Sequence, residues 1–240
     1  MKDVMAVPEK ISKRKVIVYR SRVDPTIVKL TAEKMKHKLF GKFGLSKRKA
    51  DEIVVVSVDK YYEPYTLIDA RYNIRYFKKR VYKLNVDPDT EEVKILGATY
   101  MPETVSGAAE EADKVFTLEA ELWSSYNDKA YLVLDKDGKE IPPDQVPAAP
   151  SEDHPEKILK EFGKKSGSVK GSPREEIDMV KTRIVKRPSD VAEIEDELFH
   201  ISEHAVIYTP LYEITFRNVR TSEERVVKID GVSAKIISEK

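Results

Sequence analysis

The chain has 240 residues, of which 40% are apolar and 35% are charged, and its formal net charge is +1. It contains no cysteine, which excludes disulfides, thiolate chemistry and cysteine-ligated zinc. Without a run of ~20 apolar residues or a signal-peptide pattern, the sequence is expected to be soluble and cytoplasmic, with no membrane partner.

Composition also suggests the kind of source. Lys, Arg and Glu dominate the polar residues, and Gln145 is the only glutamine. Many charged and few thermolabile side chains are typical of proteins built for high temperature. We therefore expect a heat-adapted archaeal or bacterial source.

The near-zero net charge conceals an asymmetry along the chain. Residues 1–84 hold 22 Lys and Arg against nine Asp and Glu, whereas the remaining residues hold 21 against 33. Such an imbalance indicates either an anionic partner for the basic part or mutual neutralisation inside the protein. Both interpretations stay open from sequence alone.

The first elements are a strand at 14–20 and a helix that follows it. Asp24 is a favoured N-cap residue, and Pro25 suits the first helical position. One apolar helical face is expected from Val28, Ala32, Met35 and Leu39. Alternation and turn residues then predict an antiparallel meander of strands at 51–59, 66–77, 80–86 and 92–96, with turns at 78–79 and 87–90.

The middle of the chain predicts a hairpin followed by a linker. Strands are expected at 113–123 and 130–141, with a turn around Asp137-Gly138. The segment 141–155 is rich in proline and reads as an extended linker, followed by a short helix at 156–163 and a flexible Gly/Ser segment at 164–173.

The last part of the sequence repeats the order of elements of the first part. A strand at 179–188, a helix at 189–199 and strands at 204–218, 224–230 and 233–237 are expected, with a turn at Asp230-Gly231 between the last two. The sequence thus predicts an α+β fold of two duplicated β-α-β-β-β antiparallel-sheet modules with an intervening β-hairpin and flexible linker. The expected boundaries are 1–105 (with an insert at 41–50), 106–141, 142–175 and 176–240.

Two short stretches resemble known modules. VVKIDGVSAKII (226–237) resembles the last hairpin of PepSY-type αβββ modules, although the Thr-Gly that follows the Asp in that family is missing after Asp230. That resemblance implies an interaction or regulatory module. LTAEKMKHKLFGKFGLSKRKADEI (30–53) resembles the helical SAP module, which implies DNA binding.

Motifs that carry chemistry are weak. HISEH (200–204) matches H-x-x-E-H, but the predicted helix ends near Phe199, so a structural role is favoured over zinc binding. No phosphate-binding loop, dinucleotide fingerprint or nucleophile elbow occurs. The sequence predicts no catalytic residue, cofactor or metal site, and an enzyme is the third choice.

The basic surface is the strongest functional signal. The predicted nucleic-acid-binding residues are Lys34, Lys36, Lys38, Lys42, Lys47, Arg48, Lys49, Arg71, Arg75, Lys78, Lys79, Arg80 and Lys83. Phosphate binding requires such a surface. Aromatic residues that could stack on bases are interleaved with them: Phe40, Phe43, Tyr61, Tyr62 and Tyr65. Core packing is favoured for Phe40 and Tyr65. Trp123 either is an exposed contact residue or covers a helix.

The expected function is non-enzymatic binding of DNA or RNA. The alternative is a protein–protein adaptor whose basic part meets an acidic partner or the acidic C-terminal part of the chain. The nucleic-acid hypothesis weakens if acidic residues between 150 and 224 cover the basic ones. Neutralising Lys47, Arg48 and Lys49 is expected to lower partner affinity with little change in thermal stability.

Overall fold

The computed structural model describes residues 6–39, 52–105, 113–162 and 165–239. The chain forms two compact units, each assembled from three segments. Unit 1 comprises Met1–Lys10, Arg71–Asp128 and Ile184–Phe199, and unit 2 comprises Ile11–Ala70, Lys129–Arg183 and His200–Lys240.

The fold is mostly β: of the residues that the structure describes, 53% lie in strands and 17% in helices. The described strands are β1 (Glu9–Ile11), β2 (Lys15–Val18), β3 (Ile53–Val86), β4 (Val93–Ile95), β5 (Ala98–Tyr100), β6 (Glu103–Val105), β7 (Asp113–Leu134), β8 (Glu140–Ile141), β9 (Glu193–Asn218), β10 (Glu224–Asp230) and β11 (Ile236–Glu239). The predicted α+β fold with duplicated βαβββ modules is therefore wrong.

One large sheet contains most of these strands. Its hydrogen-bonded neighbours follow the order β11–β10–β9–β3–β7–β6, and β1, β2 and β8 pair with members of this row. Strand β2 runs parallel to β9, whereas β10 is antiparallel to both β9 and β11. Strands β4 and β5 form a separate antiparallel pair. Each of the long strands β3, β7 and β9 contributes residues to both units.

Helix α1 (Pro25–Leu39) forms as its cap and apolar stripe predict. The carboxylate of Asp24 accepts a hydrogen bond of 2.7 Å from the Thr26 amide, which holds the pKa of Asp24 below its usual value. Val28, Ala32 and Met35 are buried at the predicted spacing. They pack in unit 2 against strand residues that include Tyr212, Ile214, Phe216, Val227 and Ile229.

Two further α-helices lie in the middle of the chain. Helix α2 (Pro155–Phe162) matches the predicted short helix, whereas α3 (Pro173–Ile184) replaces the strand predicted at 179–188, which is wrong. Ser172 and Glu175 form a reciprocal capping box: the Glu175 amide donates to the Ser172 hydroxyl at 3.2 Å, and the Ser172 amide donates to the Glu175 carboxylate at 2.7 Å. Pro173 occupies the first helical position, which favours the helix.

Strand β3 is one continuous strand of 34 residues, so the predicted turn at Lys78 and Lys79 is wrong. Neither lysine easily supplies the positive φ that a two-residue hairpin turn requires. The break predicted at 124–129 is also absent, because β7 continues through it.

The helix predicted at 189–199 is wrong, because β9 begins at Glu193. Glu197, Phe199 and Ile201 are buried at alternate positions, which is the pattern of a strand. A buried carboxylate at position 197 hides that pattern in the sequence, where acidic residues usually mark solvent.

Turns predicted at two other places are confirmed. In the turn that connects β7 to β8, the carboxylate of Asp135 accepts hydrogen bonds from the backbone amides of Asp137 and Lys139, both at 2.9 Å. The second turn follows β10 at Gly231, whose amide donates to the Pro210 carbonyl at 2.8 Å. A Cβ at position 231 would lie 2.7 Å from that carbonyl oxygen, so the close approach requires glycine.

Candidate nucleic-acid interface

Basic side chains recur every four residues along the unit 1 part of β3. Arg71, Arg75, Lys79 and Lys83 all occupy odd-numbered positions, and successive side chains of a strand point to opposite faces. These four residues therefore share one face, spread over roughly 40 Å at ~3.3 Å per residue. We call them the basic row.

Trp123 of β7 lies against this row. Its ring centre is 5.4 Å from the Arg75 guanidinium and 5.0 Å from the Phe77 ring centre. The contact covers Phe77, which is 8% exposed, but leaves Trp123 49% exposed. The half-exposed indole adjoins a cation, an arrangement that suits both stacking and cation–π interaction with a flat ligand.

Acidic residues form ion pairs with some of the predicted basic residues. Glu195 lies 2.6 Å from the Arg75 guanidinium, and Asp190 lies 2.5 Å from Lys78 and 3.3 Å from Arg80. The hydrogen bond from Lys78 holds the pKa of the Asp190 carboxyl below its usual range. Both carboxylates belong to the segment 150–224. Acidic residues of this segment therefore cover part of the basic surface, which weakens the nucleic-acid hypothesis to that extent.

The predicted basic surface is thus divided. Lys78 and Arg80 occupy even positions of β3, on the face opposite the basic row, where Asp190 holds them. Arg71, Lys79 and Lys83 are exposed and form no ion pair with another described residue. Of the predicted basic residues in unit 1, these three are the ones that remain available.

The other predicted basic residues belong to unit 2. Lys34 is exposed on α1, and Lys36 and Lys38 lie in the same helix. Lys42, Lys47, Arg48 and Lys49 lie outside the described residues, as do the aromatic Phe40 and Phe43. Of the remaining aromatic candidates, Tyr62 is fully buried, and Tyr61 and Tyr65 are partly buried.

A buried polar cluster on the opposite face of unit 1 ties β9 to β3. The Glu197 carboxylate accepts hydrogen bonds from the Tyr72 hydroxyl at 2.7 Å and from the Arg187 Nε at 2.6 Å. Burial and the adjoining carboxylate raise the pKa of Tyr72, and the hydrogen bond to Glu197 raises that of Arg187. Sequence reasoning missed this cluster, because its members are far apart in the chain and one of them was assigned to a helix.

The HISEH stretch lies within β9, and not at a helix end. His204 is 1% exposed, and its Nε2 lies 2.7 Å from Glu176 Oε2 of α3. The other Glu176 oxygen accepts from Arg14 at 3.0 Å and from Thr66 at 3.2 Å. This arrangement attaches α3 to the sheet of unit 2.

Searches of the described residues for two further features find none. No group of three or more His, Asp or Glu there has the arrangement that would hold a metal ion. Within the same part of the chain, no helix is long and apolar enough to cross a membrane.

Comparison with protein-family models, with curated proteins and with solved structures finds no match for this chain.

Proposed function

We propose that the protein binds single-stranded nucleic acid through the basic row and Trp123. The observation that carries the proposal is the half-exposed Trp123 beside Arg75. Base–aromatic stacking contributes about 1–3 kcal/mol per base and does not depend on sequence. Exposed cations along a strand face add phosphate contacts.

The ion pair between Arg75 and Glu195 does not prevent this function. Both side chains are about half exposed, at 59% and 46%. Exposed ion pairs contribute only about 0–1 kcal/mol, which is less than one stacked base provides. A phosphate can therefore replace Glu195 at the Arg75 guanidinium.

The charge of unit 1 limits the expected affinity. Its segments contain 12 Lys and Arg and 18 Asp and Glu, a formal charge of −6. Long-range attraction of a polyanion is consequently absent, and binding depends on the local row. We expect micromolar affinity and a preference for single strands, whose bases are free to stack.

A direct test compares Trp123→Ala with the wild type by fluorescence anisotropy of labelled single-stranded DNA and RNA. Loss of stacking on one base should weaken binding by about 5- to 150-fold. Tyr131→Ala is the matched control, since Tyr131 is 51% exposed and belongs to unit 2. Equal affinity of all three proteins would overturn the proposal.

An acidic protein partner is the second candidate. Glu119 and Glu121 occupy the same side of β7 as Trp123, and Asp190 and Glu195 already engage three of the basic residues. Mixed charge around a Trp and an Arg is typical of protein-binding hot spots. This candidate gains if the wild type binds neither DNA nor RNA and Trp123→Ala abolishes capture of an acidic protein.

A further inference from the structure

Unit 2 contains an open pocket of about 420 Å³ that is separate from the basic row. Its wall is formed by residues of β3, by the segment that precedes α3, and by side chains of β9, β10 and the β7–β8 turn. The volume falls within the ~300–1,000 Å³ range typical of small-molecule sites.

Lysines and carboxylates alternate around this pocket. Lys136 lies 3.6 Å from Glu63, and Lys228 lies 3.7 Å from Glu213. Both separations exceed hydrogen-bonding distance, so each pair attracts across the wall without a direct hydrogen bond. A third pair, Lys165 and Asp59, is in direct contact. The wall therefore presents charges of both signs that sum to zero.

Tyr61 adds a polar group to the wall of this pocket. Its hydroxyl is buried, and its hydrogen bond with Lys228 raises the pKa of that lysine. The Lys228 ammonium lies 5.3 Å from the centre of the same ring. Because an ammonium can only donate, the hydroxyl accepts from Lys228 and keeps its own proton available to donate to a bound group.

We propose that this pocket binds a small zwitterion that carries an ammonium and a carboxylate, either a free α-amino acid or a dipeptide. The ligand carboxylate contacts Lys136 or Lys228 and accepts a hydrogen bond from the Tyr61 hydroxyl. Its ammonium contacts Glu63 or Glu213.

Charge balance selects this class over a simple anion. An anion that took Lys136 away from Glu63 would leave that carboxylate without its cation, a costly result at a partly buried site where Glu63 is 19% exposed. A zwitterion replaces both partners at once, and so every charge in the wall keeps a counter-charge. The long pair distances leave Lys136 and Glu63 free to make this exchange.

The test is isothermal titration of the full chain with each proteinogenic α-amino acid and with a set of dipeptides. For any compound that binds, its α-hydroxy-acid analogue and its methyl ester remove the ammonium and the carboxylate in turn. Binding confined to free amino acids or to dipeptides identifies the source of the ligand, and each analogue should bind at least about tenfold more weakly.

Variants locate the site. Tyr61→Phe and Lys136→Met should each weaken binding by about tenfold. Tyr61→Phe should lower the thermal midpoint by only a few degrees, because it removes a single hydrogen bond, the one with Lys228. The control is Lys170→Met, since Lys170 pairs with Asp137 at 2.6 Å and does not line the pocket.

Three results would overturn the inference. The first is no binding of any amino acid or dipeptide, and the second is binding that both pocket variants leave unchanged. The third is a hydroxy acid that binds as tightly as its amino acid. None of them bears on the basic row of unit 1, so the two proposals fail independently.

Discussion

The guanidinium of Arg75 lies 5.4 Å from the centre of the Trp123 ring, and both side chains are about half exposed. A cation beside an aromatic surface can contact a base and a phosphate of the same nucleotide. Arg71 and Lys79 extend this site in both directions along β3. The contact therefore places the proposed function at one identifiable point of unit 1.

Trp123 provides its own optical signal, because it is the only tryptophan of the chain. Stacking of a base on the indole should quench its fluorescence as oligo(dT) is added, with the same midpoint as anisotropy of the labelled strand. If anisotropy reports binding while the tryptophan emission stays constant, the nucleic acid binds elsewhere on the protein.

Removing the competing carboxylate should strengthen binding. Glu195→Gln frees the Arg75 guanidinium from its 2.6 Å ion pair, and affinity for single strands should rise by about two- to fivefold, as expected for an exposed pair. Asp196→Asn removes the same charge at the next position of β9, where the side chain forms no ion pair with the basic row, and serves as the control. Equal gains in both variants would indicate a general charge effect instead of release of Arg75.

The attachment of α3 should depend on Glu176. Its carboxylate contacts Arg14, Thr66 and His204, and the residue is 3% exposed. Glu176→Gln leaves those groups without their anion, and the free energy of unfolding in urea should fall by about 3–5 kcal/mol. Asp178→Asn, on the exposed side of the same helix, should change it by less than about 0.5 kcal/mol. A small loss from Glu176→Gln would show that the cluster is not structural.

Tyr62 carries a buried hydroxyl that has no hydrogen-bond partner among the described residues. Tyr62→Phe should therefore be neutral or stabilising by up to about 1 kcal/mol at neutral pH. Tyr72→Phe is the matched opposite: it removes the 2.7 Å hydrogen bond to Glu197 and should cost about 1.5–3 kcal/mol. Urea titrations of both variants measure the difference, and a larger loss in Tyr62→Phe would contradict the assignment.

The same tyrosine predicts a loss of stability in alkali. Burial raises the pKa of Tyr62 to about 12 from an ordinary 10.0. As pH rises, the unfolded chain therefore loses the Tyr62 proton before the folded chain does. The contribution of the protonated hydroxyl to folding stability is complete below pH 10 and is lost as pH rises through 12. The fall in thermal midpoint over that interval should be smaller in Tyr62→Phe. An identical fall in both proteins would mean that Tyr62 does not titrate in this way.

Local sequence signals predicted the elements that local interactions determine. Helix α1 follows from Asp24, Pro25 and apolar residues spaced three or four positions apart, and the turn at Gly231 follows from its Asp-Gly pair. The capping box Ser172–Glu175 was an equally local signal for α3 that the sequence interpretation missed.

Elements that depend on distant partners could not be predicted. Glu197 is buried within a strand, where Tyr72, 125 residues away, donates a hydrogen bond to it. Glu176 is likewise buried because Arg14, 162 residues away, pairs with it. Hydrophobic patterning treats both carboxylates as solvent-facing, so it predicts a helix over the start of β9 and misses the start of α3. The same incorrect helix contains Asp190, so its ion pairs with Lys78 and Arg80 could not be predicted.

The most direct test of the central claim is the salt dependence of single-strand binding. With Arg71, Lys79 and Lys83 available, the logarithm of the association constant should fall with the logarithm of salt concentration at a slope of about −2. Replacing both Arg71 and Lys79 by Gln should reduce the slope to about −0.7, whereas the same change at Lys34 of unit 2 should not alter it. No binding at low salt, or a slope that the double variant leaves unchanged, would contradict binding by the basic row.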